Sequence, residues 1–530
     1  MYWLGIDLGT SGIKAVIINE TGEVVSMGYA EQNVITPKSG FAEQNPEVWW
    51  EACCSAVKMA VSKGNISGME VRAIGFSGQM QGLVLLDSMG NVIRNCIIWM
   101  DQRAADEVKV IDEMSCKAGI DTLDITANDC LPTFWAPKLL WIKKYEPEIY
   151  EKINKILFPK DYLAFRMTGE MAAEVSDGSL SFLMDVPYRR WSTEMFELLG
   201  IPKSFVPNRL LESTDIVGEL KASVAGEWGL KAGIPVIIGG GDQIANGIGT
   251  GIIREDVMGA SIGTSAVVFG CSRKPFIDYN KRAIQSLCHG IPDLWCYLGL
   301  SLTAGASLKW MRDVIFREKK AEFEKQGKEI YDYITSIASK AAVGSGGVLF
   351  LPYFNGDSAP NNDPNARACF FGLSLNSDMP ELCRSVMEGV AFSLRETIEV
   401  CRQTGKNIDT IRVSGGGSKS RLWRQIQADI FDASIATMSV EEGPACGAAI
   451  MAAVGSGYFS SVMEGCDAIV RVKDTIEPIR ENVEIYDEYF HLYRSLYKNF
   501  KNRLCFKLML KMDTFKYIGY NIDISMFWRL

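Results

Sequence analysis

Histidine is almost absent: the 530 residues contain only His289 and His491. Histidine-rich metal sites are thereby excluded. A general base drawn from this chain is expected to be a carboxylate, with both histidines structural. No two of the 14 cysteines stand at C-x-x-C spacing. Lying beside apolar residues, as at Cys96, Cys288 and Cys446, they read as reduced, buried small hydrophobes of a cytoplasmic protein. No apolar run reaches the ~18 residues of a membrane span, and Met1 to Thr10 lacks the basic start and cleavage site of a signal peptide. Positive charge is in deficit, 55 Lys and Arg against 64 Asp and Glu, for a net charge of −9. A polyanion such as DNA is repelled on average, whereas a small anionic ligand can still be held by loop amides and a metal ion. Also missing are the Gly-x4-Gly-Lys-Ser/Thr phosphate loop, the protein-kinase glycine loop with its His-Arg-Asp set, and the Gly-x-Gly-x-x-Gly dinucleotide fingerprint.

What is present is an ordinary globular composition, 47% hydrophobic and 22% charged, with 49 glycines. That glycine share is above the usual ~7% and points to tight turns or close backbone approaches. The chain begins as a meander: strands over Tyr2 to Asp7, Ile13 to Ile18 and Glu23 to Gly28, joined by tight turns. A helix carrying Trp49, Trp50, Cys53 and Val57 follows, with both tryptophans read as core, then a buried strand from Val71 to Phe76. The Gly-Thr-Ser turn of residues 9–11 recurs at 263–265, again between apolar strands. Such self-similarity predicts two related domains, 1–250 and 251–500, whose turns face one ligand in the cleft between them. Residues 501–530 form a lysine-bearing apolar tail with no clear pattern, and 321–328 reads as a solvated helix face.

Four segments carry candidate chemistry. In Asp7-Leu-Gly-Thr-Ser-Gly-Ile-Lys14, Gly9 and Gly12 allow a tight turn that presents N–H groups, Thr10 and Ser11 add hydroxyls, and Asp7 could hold magnesium, directly or through water. Ile411 to Ser418 is a strand running into a triple-glycine turn. The helix after it has Leu422, Ile426 and Ile430 on one face, and the glycines either admit adenine or phosphate or simply make a turn. Glu442 to Ala449 opens a helix with proline and small residues suited to close packing. After a strand over Ile234 to Ile238, Gly239-Gly-Gly-Asp242 delivers a carboxylate into a glycine-lined space.

Together these segments resemble the FGGY family of carbohydrate kinases, within the actin-like ATPase superfamily, in order over roughly residues 1–495. The most specific match is Ala368-Cys-Phe-Phe-Gly-Leu373 followed by Glu381-Leu-Cys-Arg-Ser-Val-Met-Glu388. Lys138-Leu-Leu-Trp141 fits a second signature, although Trp135 stands where a small residue is usual. Likeness to the family's xylulokinases rests on Glu43 to Trp50, Gly78-Gln-Met-Gln-Gly82, Trp99-Met-Asp-Gln-Arg103, Pro159-Lys-Asp-Tyr-Leu163 and Phe350-Leu-Pro-Tyr353. The resemblance implies an α/β fold of two actin-like (ribonuclease-H-like) ATPase domains around a nucleotide and sugar cleft. It implies Asp242 as catalytic base, Asp7 supporting magnesium and phosphate, and sugar contacts from Gln79, Met80, Gln81, Trp99, Asp101 and Arg103 with Asp242. ATP contacts are implied for Gly9, Thr10, Ser11, Lys14, Gly263, Thr264, Gly416 and Gly417. Asp101 and Arg103 either line the sugar pocket or form a surface ion pair.

The implied reaction is ATP- and Mg2+-dependent phosphorylation of a sugar, D-xylulose foremost. Ribulose, glycerol or gluconate remain alternatives, because Gln81 replaces the usual histidine and Asn355-Gly-Asp357-Ser replaces Ser-Gly-Glu-Arg. An ATP-switched actin-like binding module is a third reading. It requires a partner domain for which the ~30 residues past the resemblance are too few. Implied partners are the sugar and ATP, with neither nucleic acid nor membrane, and a homodimer is the family expectation.

Overall fold

The computed structural model describes residues 1–64, 66–403, 407–439 and 442–501. The expected tail over 501–530 lies, beyond Lys501, outside the described residues. Two mixed sheets organise the rest. The first is built from β1 (Tyr2–Leu8), β2 (Gly12–Asn19), β3 (Val24–Glu31), β4 (Val71–Gly78), β5 (Ile216–Glu219) and β6 (Pro235–Gly241), in the order β5-β6-β4-β1-β2-β3. The β1-β2-β3 meander is antiparallel, and β4 and β6 run parallel to β1. The second comprises β7 (Val257–Ile262), β8 (Ala266–Ser272), β9 (Gln285–Cys288), β10 (Trp295–Ser301), β11 (Thr410–Ser414), β12 (Ser434–Met438) and β13 (Val472–Ile476), in the order β9-β10-β8-β7-β11-β12-β13. Here β7, β8 and β10 pair antiparallel, while β11 and β12 run parallel to β7. The two sheets thus share one plan, and both Gly-Thr-Ser turns close its first hairpin, β1-β2 and β7-β8.

The helices used below are α1 (Pro46–Lys63), α2 (Trp135–Tyr145), α3 (Pro159–Thr168), α4 (Asp242–Gly249), α5 (Arg421–Phe431), α6 (Gly443–Gly455) and α7 (Arg480–Lys501). Local chemistry explains their ends. Asn45 caps α1 by accepting from the Glu47 N–H, with Pro46 in the first turn, and Trp49, Cys53 and Val57 are buried along one face. Trp50 differs from expectation: it is half-buried and packs on Trp228 at 5.7 Å. Ser420 caps α5, which buries Ile426 and Ile430. Leu422 is only half-buried, and Trp423 takes the core position instead. The helix Arg317–Lys325 buries no residue, in keeping with a solvated face. Among the described residues no helix is long and apolar enough to cross a membrane.

The small residues of α6 let backbones touch. A Cβ on Gly447 would sit 1.8 Å from the Ala245 carbonyl oxygen of α4, and one on Gly249 would sit 1.9 Å from the Gly443 oxygen. On the sheet side, Gly5 of β1 and Gly75 of β4 admit the Ala445 and Ala448 carbonyls, which a Cβ would meet at 2.0 and 2.2 Å. Glycine inside a strand marks this kind of approach. Gly447→Ala should therefore overpack the crossing at a cost of ~1–3 kcal/mol. Gly226→Ala, at an exposed position of the helix Ala222–Trp228 with open space around its Cβ, should be neutral or stabilising by ~0.5–1 kcal/mol. Thermal melting of the two variants checks this, and a Gly447→Ala protein as stable as wild type would contradict it.

Candidate active site

The carboxyl ends of β1, β6 and β11 open onto a cleft of about 790 Å³. Its wall combines Asp7, Gly9, Asp242, Gln243 and Asn246 with Ser261, Ser414, Gly415, Gly416, Gly443 and Pro444. All four segments singled out from the sequence therefore meet at one place. Asp7 is the penultimate residue of β1, and its Oδ1 accepts the Ser77 hydroxyl of β4 at 2.8 Å. Lys14, opposite Asp7 on β2, forms an ion pair with Glu442. Burial raises the Asp7 pKa above the ordinary carboxylate value; the Ser77 bond and Lys14 oppose this, and Glu442 adds to it.

Asp242 opens α4 directly after Gly241 ends β6. Its side chain accepts a hydrogen bond from Gln243 Nε2 at 3.3 Å, and the Gln243 backbone N–H supports it as well. Burial, with the negative charge of Asp7 second, pushes its pKa up to about 7, against the opposing bonds from Gln243. The two carboxylates therefore feel each other but differ in support: among the described residues Asp7 has a hydroxyl and a nearby ammonium, whereas Asp242 has neither. A carboxyl near pH 7 in a cleft is suited to general-base work.

The turns behave differently from one another. Gly9 lines the cleft, and its N–H closes the turn onto Gly12 at 3.1 Å. Thr10 Oγ1 accepts the Trp99 indole N–H at 2.8 Å, Thr10 O accepts from Gln44, and Ser11 is exposed. Gly263 and Thr264 are exposed on the matching hairpin, where the Gly263 N–H bonds Ser265 O and Gly305 N donates to Gly263 O. Gly416 lines the cleft. Gly417 is buried, and a Cβ there would be 2.6 Å from Ile262 Cγ2, so it serves packing.

On the expected sugar side, Met80 is buried against Gly241, where an added Cβ would come within 2.6 Å of the Met80 thioether. Gln79 is buried and donates to Gln44 at 2.7 Å. Gln81 is half-buried at φ 65°, an uncommon conformation for a residue with a Cβ. The surface ion-pair reading of Asp101 and Arg103 is corrected: both side chains are 1% exposed. Arg103 forks onto Asp101, reaches Glu43 at 2.7 Å, and stacks over Phe41 at 3.9 Å. Asp101 also accepts from the Arg103 N–H at 2.9 Å and the Ala42 N–H at 2.6 Å. The pair braces the loop that carries Trp99, which is itself 43% exposed.

Sequence reasoning missed several supports. Lys138, wholly buried on α2, donates to the carbonyls of Gln81, Ile97 and Ile98 at 2.8, 3.1 and 3.2 Å, and desolvation brings its pKa down to about 7. It ties the Gln81 turn to the Trp99 loop. Trp135, the unusual residue beside it, donates its indole N–H to Gly82 O at 2.7 Å and stacks on Phe158 at 3.6 Å. Glu442, Gln243 and Asn246 were likewise unassigned. Asp357 lies outside the cleft, buried and accepting from Asn361 Nδ2 at 2.7 Å. His289 is buried, with burial lowering its pKa to about 4, and His491 is exposed on α7; neither lines the cleft.

Comparison with known proteins gives this geometry a context. The model of the FGGY family of carbohydrate kinases, N-terminal domain, matches residues 2–249, and that of its C-terminal domain matches residues 258–456. The chain is similar to the xylulose kinase of Bacillus subtilis (strain 168), 36% identical over 501 residues that span 94% of this chain and 97% of the relative. Among solved structures it is similar to a xyloylose kinase from Brucella ovis, with a TM-score of 0.87 and 32% identity, covering 94% of this chain and 99% of that one. A gluconate kinase from Lactobacillus acidophilus superposes with the same TM-score of 0.87 at 25% identity, covering 94% and 98%. With both domain models matched in sequence order and the two-sheet α/β architecture of actin-like ATPase domains in place, the chain belongs to the FGGY family of carbohydrate kinases.

Proposed function

We propose that this sugar kinase transfers the terminal phosphoryl group of ATP to a primary hydroxyl of D-xylulose, with Asp242 as general base. The observation carrying the proposal is the cleft itself, where a carboxyl raised to about 7 stands beside Asp7 and the glycine turns. The named substrate is supported by the full-length likeness to a xylulose kinase. A sugar acid is the second reading, favoured by the equal structural likeness to a gluconate kinase and by Gln81, whose amide can both donate and accept but cannot titrate.

In this account Asp242 takes the hydroxyl proton as the sugar oxygen bonds to phosphorus and the bond to ADP breaks. Ser11 and Thr264, exposed at the tips of the two Gly-Thr-Ser turns, hold phosphate oxygens, and Gly416 lies against the nucleotide. Asp7 fits a magnesium site in donor type: a hard carboxylate oxygen at the mouth of a phosphate-sized turn, steadied by Ser77. With Mg–ATP bound, the ion supplies charge neutralisation to the phosphates. Gln79, Met80, Gln81 and Trp99 shape the sugar side, while Asp101 and Arg103 act through the loop they brace. The two lobes divide near residue 250, and their closure excludes water as a competing acceptor.

Three outcomes follow. Asp242→Asn should keep Mg–ATP binding by calorimetry and lower turnover on D-xylulose by ~10²–10⁴-fold; near-normal turnover sinks the base assignment. The kcat/KM for the sugar should fall below about pH 7, where Asp242 gains a proton and ceases to be a base. Asp7→Asn removes the neighbouring negative charge and should move that apparent pKa lower. An unshifted profile in this variant would show that the two groups are not coupled.

A further inference from the structure

Four charged side chains are wholly buried beneath the cleft and take no part in the chemistry above. Lys160 Nζ lies 2.6 Å from Asp161 Oδ1, 3.3 Å from Asp177 Oδ2 and 3.6 Å from Glu174 Oε2, and all four side chains are 0% exposed. Burying three carboxylates around one ammonium is costly, and apolar residues of similar volume often serve stability as well or better. Their position indicates another use. Gly78, which ends β4, sits against Lys160, whose Cβ would be 3.0 Å from a Cβ placed on that glycine. Gly241, which ends β6, is reached through Ser176.

The connection is continuous. Glu174 accepts the Ser176 N–H at 2.9 Å, the Ser176 hydroxyl at 2.6 Å, the Asp177 N–H at 3.2 Å and the Ser213 hydroxyl at 2.6 Å. With its proton committed to Glu174, the Ser176 hydroxyl presents a lone pair, and it accepts the Gly241 N–H at 3.0 Å. Gly241 is the residue before Asp242 and the N-cap of α4, with no side-chain cap of its own. The hydroxyl of Ser176 therefore holds the Gly240–Gly241 peptide, one residue before Asp242, where β6 hands over to α4. A hydroxyl oriented by a buried carboxylate is a stiff support in a region of low dielectric.

We propose that Ser176, oriented by Glu174 and the Lys160 cluster, is the positioning residue for Asp242, an inference that rests on Asp242 being the base. Losing it lets the carboxylate drift from the hydroxyl it must deprotonate, and misplacement near 1 Å can cost ~10²-fold in rate. Ser213 is the internal control: it gives the same carboxylate an equally short hydrogen bond but is not bonded to Gly241.

The test compares Ser176→Ala, Ser176→Cys and Ser213→Ala by steady-state kinetics on the intact protein, with melting temperature and Mg–ATP calorimetry for each. Ser176→Ala should lower kcat about 10- to 100-fold while leaving the KM for sugar and for Mg–ATP unchanged. Ser176→Cys, close in shape but a weak acceptor, should lose kcat in the same way. Ser213→Ala should keep wild-type kcat. Equal losses in the Ser176 and Ser213 variants, or a normal kcat in both Ser176 variants, would overturn the proposal. Turnover surviving in Asp242→Asn would instead remove the base, so the two failures are told apart.

Discussion

The structure depends on one close approach: α6 lies directly on α4 and on strands β1 and β4, through glycines that admit carbonyl oxygens where any side chain would collide. Three of these elements, β1, α4 and α6, have an end at the cleft. β1 delivers Asp7, α4 begins with Asp242, and α6 begins with Gly443 and Pro444 in the cleft wall. Because the contacts are backbone to backbone, little side-chain freedom remains to blur the relative positions of these ends. Such an interior is stiff, and a rigid frame is what a pair of carboxylates needs if each is to keep a separate task.

That separation of tasks is electrostatic. Asp7 has the Ser77 hydroxyl and the neighbouring Lys14, itself paired with Glu442, and these two oppose the upward push of burial on its pKa. For Asp242, burial and then the negative charge of Asp7 push the pKa up to about 7 against the bonds from Gln243. One carboxylate is therefore disposed to bind charge and the other to exchange a proton. Beneath them Lys138 secures the Gln81 turn and the Trp99 loop through three carbonyls, and the Lys160 cluster lies under the strand ends.

Much of this was legible in the sequence because it is local. The β1-β2 meander, the cap and apolar face of α1, the glycine turns and the repeated Gly-Thr-Ser each follow from a few neighbouring residues, and the repeat predicted the shared plan of the two sheets. What stayed hidden is held by distant partners. Lys14 and Glu442 are 428 positions apart, and Ser176 and Gly241 are 65 apart. Lys138 binds backbone carbonyls, which leave no trace in residue identity. Asp101 and Arg103, two positions apart, left pocket lining and a surface pair both open, because their burial depends on Phe41 and Glu43 from another segment. Gly417 resembled its neighbour Gly416 until packing against Ile262 set it apart.

The central claim is that this cleft transfers phosphate from ATP to a sugar hydroxyl and selects D-xylulose. A coupled ADP-release assay with Mg–ATP across ketopentoses, polyols and sugar acids measures this directly. The account predicts the highest kcat/KM for D-xylulose and only slow ADP release without sugar. A higher value for gluconate or another acceptor would contradict the substrate assignment and turn attention to Gln81, and no sugar-dependent ADP release across the panel would contradict the account as a whole.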